Sequence, residues 1–62
     1  MDAAEFLFIR KFVLKMKQEE LSPLIDRSTV MISSYENGRP IPPEIQDRMR
    51  ELSNRYQSNG SD

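Results

Sequence analysis

The sequence has no cysteine, no histidine and no tryptophan, and only two glycines in 62 residues. Without cysteine and histidine there are no disulfide staples and no usual zinc ligands, so any fold must rest on apolar packing, and no metal site is expected. The same two absences leave the serines without a base to activate them, and no nucleophile, base and orienting group can be assembled. An enzyme is therefore not expected. Gly38 and Gly60 are too far apart to form a phosphate-binding glycine loop or a dinucleotide fingerprint, and no cofactor is expected. Long hydrophobic runs are also lacking: Phe6 to Ile9 and Phe12 to Leu14 are separated by Arg10 and Lys11, far short of the roughly twenty apolar residues of a membrane span. Asp2 and Glu5 stand where a signal peptide would carry basic residues, so the cytoplasm is the expected compartment. Finally, there is no excess of positive charge. Nine Lys and Arg face ten Asp and Glu, for a net charge of −1, so nucleic-acid binding would depend on where the cations lie.

What is present suits a small helical domain, with 37% apolar and 31% charged residues. A chain this short forms one domain and buries only about 60% of its unfolded surface, which makes oligomerisation a natural source of added stability. Residues 2–16 read as a first helix, with Asp2 as N-cap and Glu5 complementing the helix dipole. Leu7, Lys11 and Leu14 fall on one stripe, and Phe6, Ile9, Phe12 and Val13 widen the apolar surface. Simple core packing is the plain reading of that width; a face turned to a partner is the other. Lys15 and Lys17 flank the helix exit, where cations complement its dipole.

The most informative stretch is Gln18 to Gly38. Leu21, Leu24 and Ile25 have the i, i+3, i+4 spacing of a buried helical stripe. Asp26 and Arg27 interrupt it, and Ser28 is placed to cap a second helix from Thr29 to Asn37, whose Ile32 and Tyr35 turn into the core. Gly38 terminates that helix. Pro23 admits two readings. Within a helix from Gln18 it deletes the bond to the Glu19 carbonyl, at a cost on the order of 3 kcal/mol in an unrelieved interior. Alternatively, Ser22 and Pro23 are an N-cap and first position that restart the helix.

Taken together, Gln18, Glu20, Leu21, the pair Leu24 and Ile25, then Ser28, Ile32, Ser33, Glu36, Asn37 and Gly38 closely resemble the helix-turn-helix of the Cro/repressor (XRE-type, lambda-repressor-like) DNA-binding family. The resemblance covers about twenty-one contiguous residues. It implies that the second helix enters the major groove while the first crosses the backbone. Ser28, Thr29, Val30 and Ser34 then match positions that reach base edges, and Ser33 shares their outward face. None of these side chains makes a bidentate base contact, so specificity would lean on shape, water-mediated contacts and dimer spacing. Gln18 matches a phosphate-binding glutamine at a helix N-terminus, and Lys17, Arg27 and Arg39 are further phosphate candidates. Glu36 matches a glutamate that pairs with a basic residue of the first helix; the matching position is Lys11, with Arg10 beside it. Two positions depart from the family pattern. Lys17 stands where a capping Thr, Ser or Asn is usual, and Asp26 stands where glycine is favoured, although Asp tolerates positive φ better than most residues.

Arg39 to Pro43 contains three of the four prolines and reads as a rigid connector, with Pro43 opening the last helix. Ile45, Met49, Leu52 and Tyr56 recur along one face of that helix, expected from Pro43 to Tyr56. Ile41, Pro42, Ile45 and Met49 are the expected dimer interface. The expectation is thus an all-α, compact four- or five-helix bundle of lambda-repressor-like type, with a DNA-binding domain over residues 1–57 and a flexible polar tail over 58–62. By the resemblance, it is a small homodimeric Cro-like repressor on double-stranded operator DNA. The alternative is a helix-turn-helix-derived protein-interaction module, such as an antirepressor or antitoxin, without DNA binding of its own.

Overall fold

Four α-helices follow one another in the computed structural model, which describes residues 1–59, with side chains described through Tyr56; no strand is present among these residues. The chain starts with α1, Ala3–Phe8, whose N-cap Asp2 accepts the Glu5 N–H at 2.8 Å. This helix then widens into a π-helical turn, Ile9–Val13, in which the Leu14 N–H reaches back five residues to the Ile9 carbonyl at 2.8 Å. Lys15, with φ of 55°, stops it in the left-handed region. The expected helix over 2–16 is therefore one helical rod ending at Val13, not a uniform α-helix.

The next helices form a closely joined pair. Helix α2, Gln18–Ile25, runs through Pro23, so the proline interrupts one bond of a continuous helix and does not restart it. Pro23 is exposed, so its ring meets solvent and not the core. Lys17 provides no side-chain cap, but its N–H donates to Glu20 Oε1 at 2.8 Å, which secures the helix entrance from the other direction. Asp26 adopts φ 56° and ψ 44° and ends α2 in the left-handed region. Arg27 and Ser28 complete the turn. Helix α3, Thr29–Glu36, is capped by Ser28 Oγ, which accepts the Met31 N–H at 3.3 Å, and Asn37 closes its other end. Gly38 at φ 113° takes the backbone out of the helical direction, where a side chain would be strained.

After the proline connector, α4 spans Pro43–Asn59. It extends past the expected Tyr56 end, so residues 58 and 59 are helical; the remaining residues of the expected polar tail, 60–62, lie outside the described residues.

One core joins all four helices: Phe6, Ile9, Leu14, Leu21, Ile25, Ile32, Tyr35, Ile41, Ile45, Met49 and Leu52 are buried in a single cluster. Phe6 meets Tyr35 with ring centroids 5.7 Å apart, fixing α1 against α3. The radius of gyration, 11.0 Å, is close to the roughly 10.5 Å expected of a packed domain this size. Three expectations about facing are corrected here. Leu24 is 36% exposed although Leu21 and Ile25 are buried, because α2 is only two turns long and rests on a narrow stripe. Along the first rod, the buried residues are Phe6, Ile9, Arg10 and Leu14, which excludes Lys11 from the core-facing stripe. Ile41, Ile45 and Met49, expected at a dimer interface, are buried within the monomer, and only Pro42 of that set remains half-buried. No described helix is long and apolar enough to cross a membrane.

Candidate nucleic-acid interface

The first turn of α3 presents an exposed surface on a capped backbone. Ser28 and Thr29 are exposed and Val30 is 72% exposed, while Ile32 and Tyr35 on the opposite side anchor the helix in the core. Ser33 and Ser34 are less available. Ser34 Oγ donates to the Val30 carbonyl at 3.1 Å, and Ser33 is half-buried beside Asn37, whose Nδ2 donates to the Ser33 carbonyl at 2.7 Å. Each hydroxyl keeps lone pairs, but the freely presented set narrows to Ser28, Thr29 and Val30.

The base of this helix is held by a buried charge cluster. Arg10 and Glu36 form an ion pair with both side chains 8% exposed. Arg10 Nε donates to Glu36 Oε2, and Arg10 Nη2 donates to Glu36 Oε1 at 3.1 Å. The third guanidinium nitrogen, Nη1, donates to the Met16 carbonyl at 2.9 Å. Gln18 Nε2 donates to the same Glu36 Oε1 at 3.0 Å. One carboxylate thereby ties the π-helical turn, the start of α2 and the end of α3. This corrects the expected pair of Lys11 with Glu36: Lys11 is exposed, and its neighbour Arg10 takes the partner. Arg10 also suits the site chemically, because a planar guanidinium engages both carboxylate oxygens and a backbone carbonyl at once, which an ammonium cannot do in the same geometry. No buried side-chain nitrogen or oxygen is left without a partner among the described residues.

The four expected phosphate ligands separate into two kinds. The Gln18 amide is turned to Glu36, and Arg27 donates to Glu44 Oε1 at 3.2 Å and to the Asp26 carbonyl at 2.8 Å. Both side chains thus serve the fold. Lys17 and Arg39 are exposed, and neither has an ion-pair partner among the described residues. Between the starts of α2 and α3 lies an open cleft of about 460 Å³ lined by Arg10, Lys17, Gln18, Glu19 and Thr29. It joins the Lys17 cation to the exposed first turn of α3, although Glu19 adds an opposing charge. No group of metal-ligating side chains is found among the described residues.

The sequence names both remaining cations of this site, but places only one of them. Arg10 stands in it only as a neighbour of the matching position, whereas Lys15, expected at the helix exit, lies there in left-handed backbone, exposed and without an ion-pair partner among the described residues. With Lys11 and Lys17 it forms a basic segment that the net charge of −1 conceals.

Compared with protein-family models, with curated proteins and with solved structures, the chain has no significant match.

Proposed function

We propose that the chain is a small DNA-binding regulator of the Cro/repressor helix-turn-helix type, which docks α3 in the major groove of operator DNA. In this reading α2 crosses the sugar-phosphate backbone, Ser28, Thr29 and Val30 face base edges, and Lys17 and Arg39 neutralise phosphates. The observation that carries it is the exposed first turn of α3, capped at Ser28 and presented by a left-handed turn at Asp26, on a helix whose other face and end are locked. Such rigid presentation of short side chains suits groove reading through hydroxyl contacts, a Val30 contact to a thymine methyl, and backbone shape. A homodimer would place two such helices on half-sites about 34–36 Å apart.

Selection of bound duplexes from a random pool by the purified protein tests the reading. A recovered palindromic motif supports it, together with binding that tightens from 200 to about 50 mM salt. Failure to detect binding to any duplex at about 50 mM salt overturns it.

A second reading has an observation in its favour. Gln18 and Arg27 are both occupied within the fold, which leaves fewer phosphate contacts and favours a protein-interaction module derived from the same helix pair. In that case a protein partner would cover α3, and the duplex selection would return nothing.

A further inference from the structure

On the outer side of the first rod, Phe8 and Phe12 are 55% and 63% exposed, and their rings meet at a tilt of 37° with centroids 5.3 Å apart. Both lie far around the rod from Phe6, which faces Tyr35, so the pair points away from α3. The π-helical turn, which follows Phe8 and contains Phe12, contributes to this arrangement. A turn bonded from i to i+5 is wider than 3.6 residues, so residues four apart lie more nearly above one another than in an α-helix. The rod is also charged unevenly. Its start carries the exposed Asp2 and Glu5, and its end carries the exposed Lys11 and Lys15. None of the four has an ion-pair partner among the described residues.

We infer that this face is a self-association surface on which two copies of the chain pair their first rods antiparallel across the Phe8 and Phe12 rings. A two-fold axis at the level of residue 10 sets Phe8 against the partner's Phe12 and brings Glu5 toward the partner's Lys15. Acidic starts then lie beside basic ends in both halves of the contact, and the two helix dipoles oppose each other. A surface complementary to itself under a two-fold axis favours a second copy over an unrelated protein. The area sets the strength. Two half-exposed phenylalanines supply on the order of 200–250 Å² per protomer, against about 800 Å² in a standard interface. The dimer is accordingly weak and concentration-dependent, and it forms whether or not the chain binds DNA.

Sedimentation equilibrium of the full chain, from about 10 µM to about 1 mM, reads this directly. The expected result is a rise in average mass toward that of a dimer. It is abolished or shifted about tenfold or more in concentration by Phe8→Ser with Phe12→Ser, since central aromatic residues dominate small interfaces. Both side chains are solvent-facing, so circular dichroism should show the variant folded. Glu5→Lys and Lys15→Glu should each weaken association, and the two together should restore it in 50 mM salt. A chain that stays monomeric to about 1 mM overturns the inference, and so does a dimer indifferent to the phenylalanine pair or to each charge reversal made singly.

Discussion

Arg10 and Glu36, 26 positions apart in the sequence, meet in an ion pair that water barely reaches. Removing either partner alone leaves a buried charge without its complement, which costs about 3–5 kcal/mol. For a domain of this length that is a large part of the total stability, and at about 4–8 °C per kcal/mol the melting temperature should fall by more than about 12 °C. Glu36→Ala and Arg10→Ala should both show this loss in thermal melts followed by circular dichroism. Lys11→Ala should stay within about 0.5 kcal/mol of the parent protein, as an exposed position does. Equal losses in the Arg10 and Lys11 variants would mean that the pairing is not selective.

Gln18 shares the Glu36 carboxylate, so its replacement has two readouts. Gln18→Ala should reduce stability by about 1–2 kcal/mol through the lost charge-assisted hydrogen bond, before DNA is added. A variant that melts like the parent protein would show that the amide is not held there.

Two residues occupy left-handed backbone without being glycine: Lys15 at φ 55° and Asp26 at φ 56°. Asp26→Gly should raise stability by up to about 1 kcal/mol in urea unfolding, and Asp26→Val should lower it by about 1–2 kcal/mol. If valine were tolerated as well as glycine, the turn would have to adopt another conformation.

Pro23 lies exposed inside α2, so an alanine there would restore a donor to the Glu19 carbonyl without disturbing the core. Pro23→Ala should stabilise the protein by about 1–3 kcal/mol in the same unfolding experiment. A destabilised variant would assign the proline a packing role that its exposure argues against.

For the proposed DNA complex, Arg39→Ala should weaken binding to every duplex by a similar factor and lower the salt-dependence slope by about one. Val30→Ala should instead change preference at a single base position. Fluorescence anisotropy on the selected site and on its single-base variants separates the two effects, and an exchanged pattern would reverse the proposed docking.

The middle of the chain was legible because its local signals agree. Ser28 has the chemistry of a cap, Asp26 tolerates the turn, and Leu21, Ile25, Ile32 and Tyr35 repeat at helical spacing; all take the places those features imply. The first rod was harder to read. Phe6, Leu7, Phe8, Ile9, Phe12, Val13 and Leu14 surround it with apolar side chains, so hydropathy gives little rotational contrast and cannot choose Arg10 over Lys11. A π-helical turn also departs from the 3.6-residue period on which such reading depends. Three residues expected at a dimer interface lie in the core for a different reason. Ile41, Ile45 and Met49 form a good apolar stripe, but a small monomer needs that stripe for its own core. At the candidate interface, exposure on α3 was legible from spacing, whereas the internal partners of Gln18 and Arg27 depend on residues far away in the sequence.

The π-helical turn gives the first rod a fixed length. It contains slack within the winding, and Phe6 on one side and Leu14 on the other are both seated by it. Deleting one residue between Ile9 and Val13 would draw the winding in to an ordinary helix and keep Phe6 and Leu14 on their present sides, whereas inserting one more would rotate one half of the rod by about 100° relative to the other. With the insertion, either Phe6 would leave Tyr35 or Leu14 would leave the core. The turn therefore tolerates substitutions on its outer surface and the loss of one residue, but not a further gain.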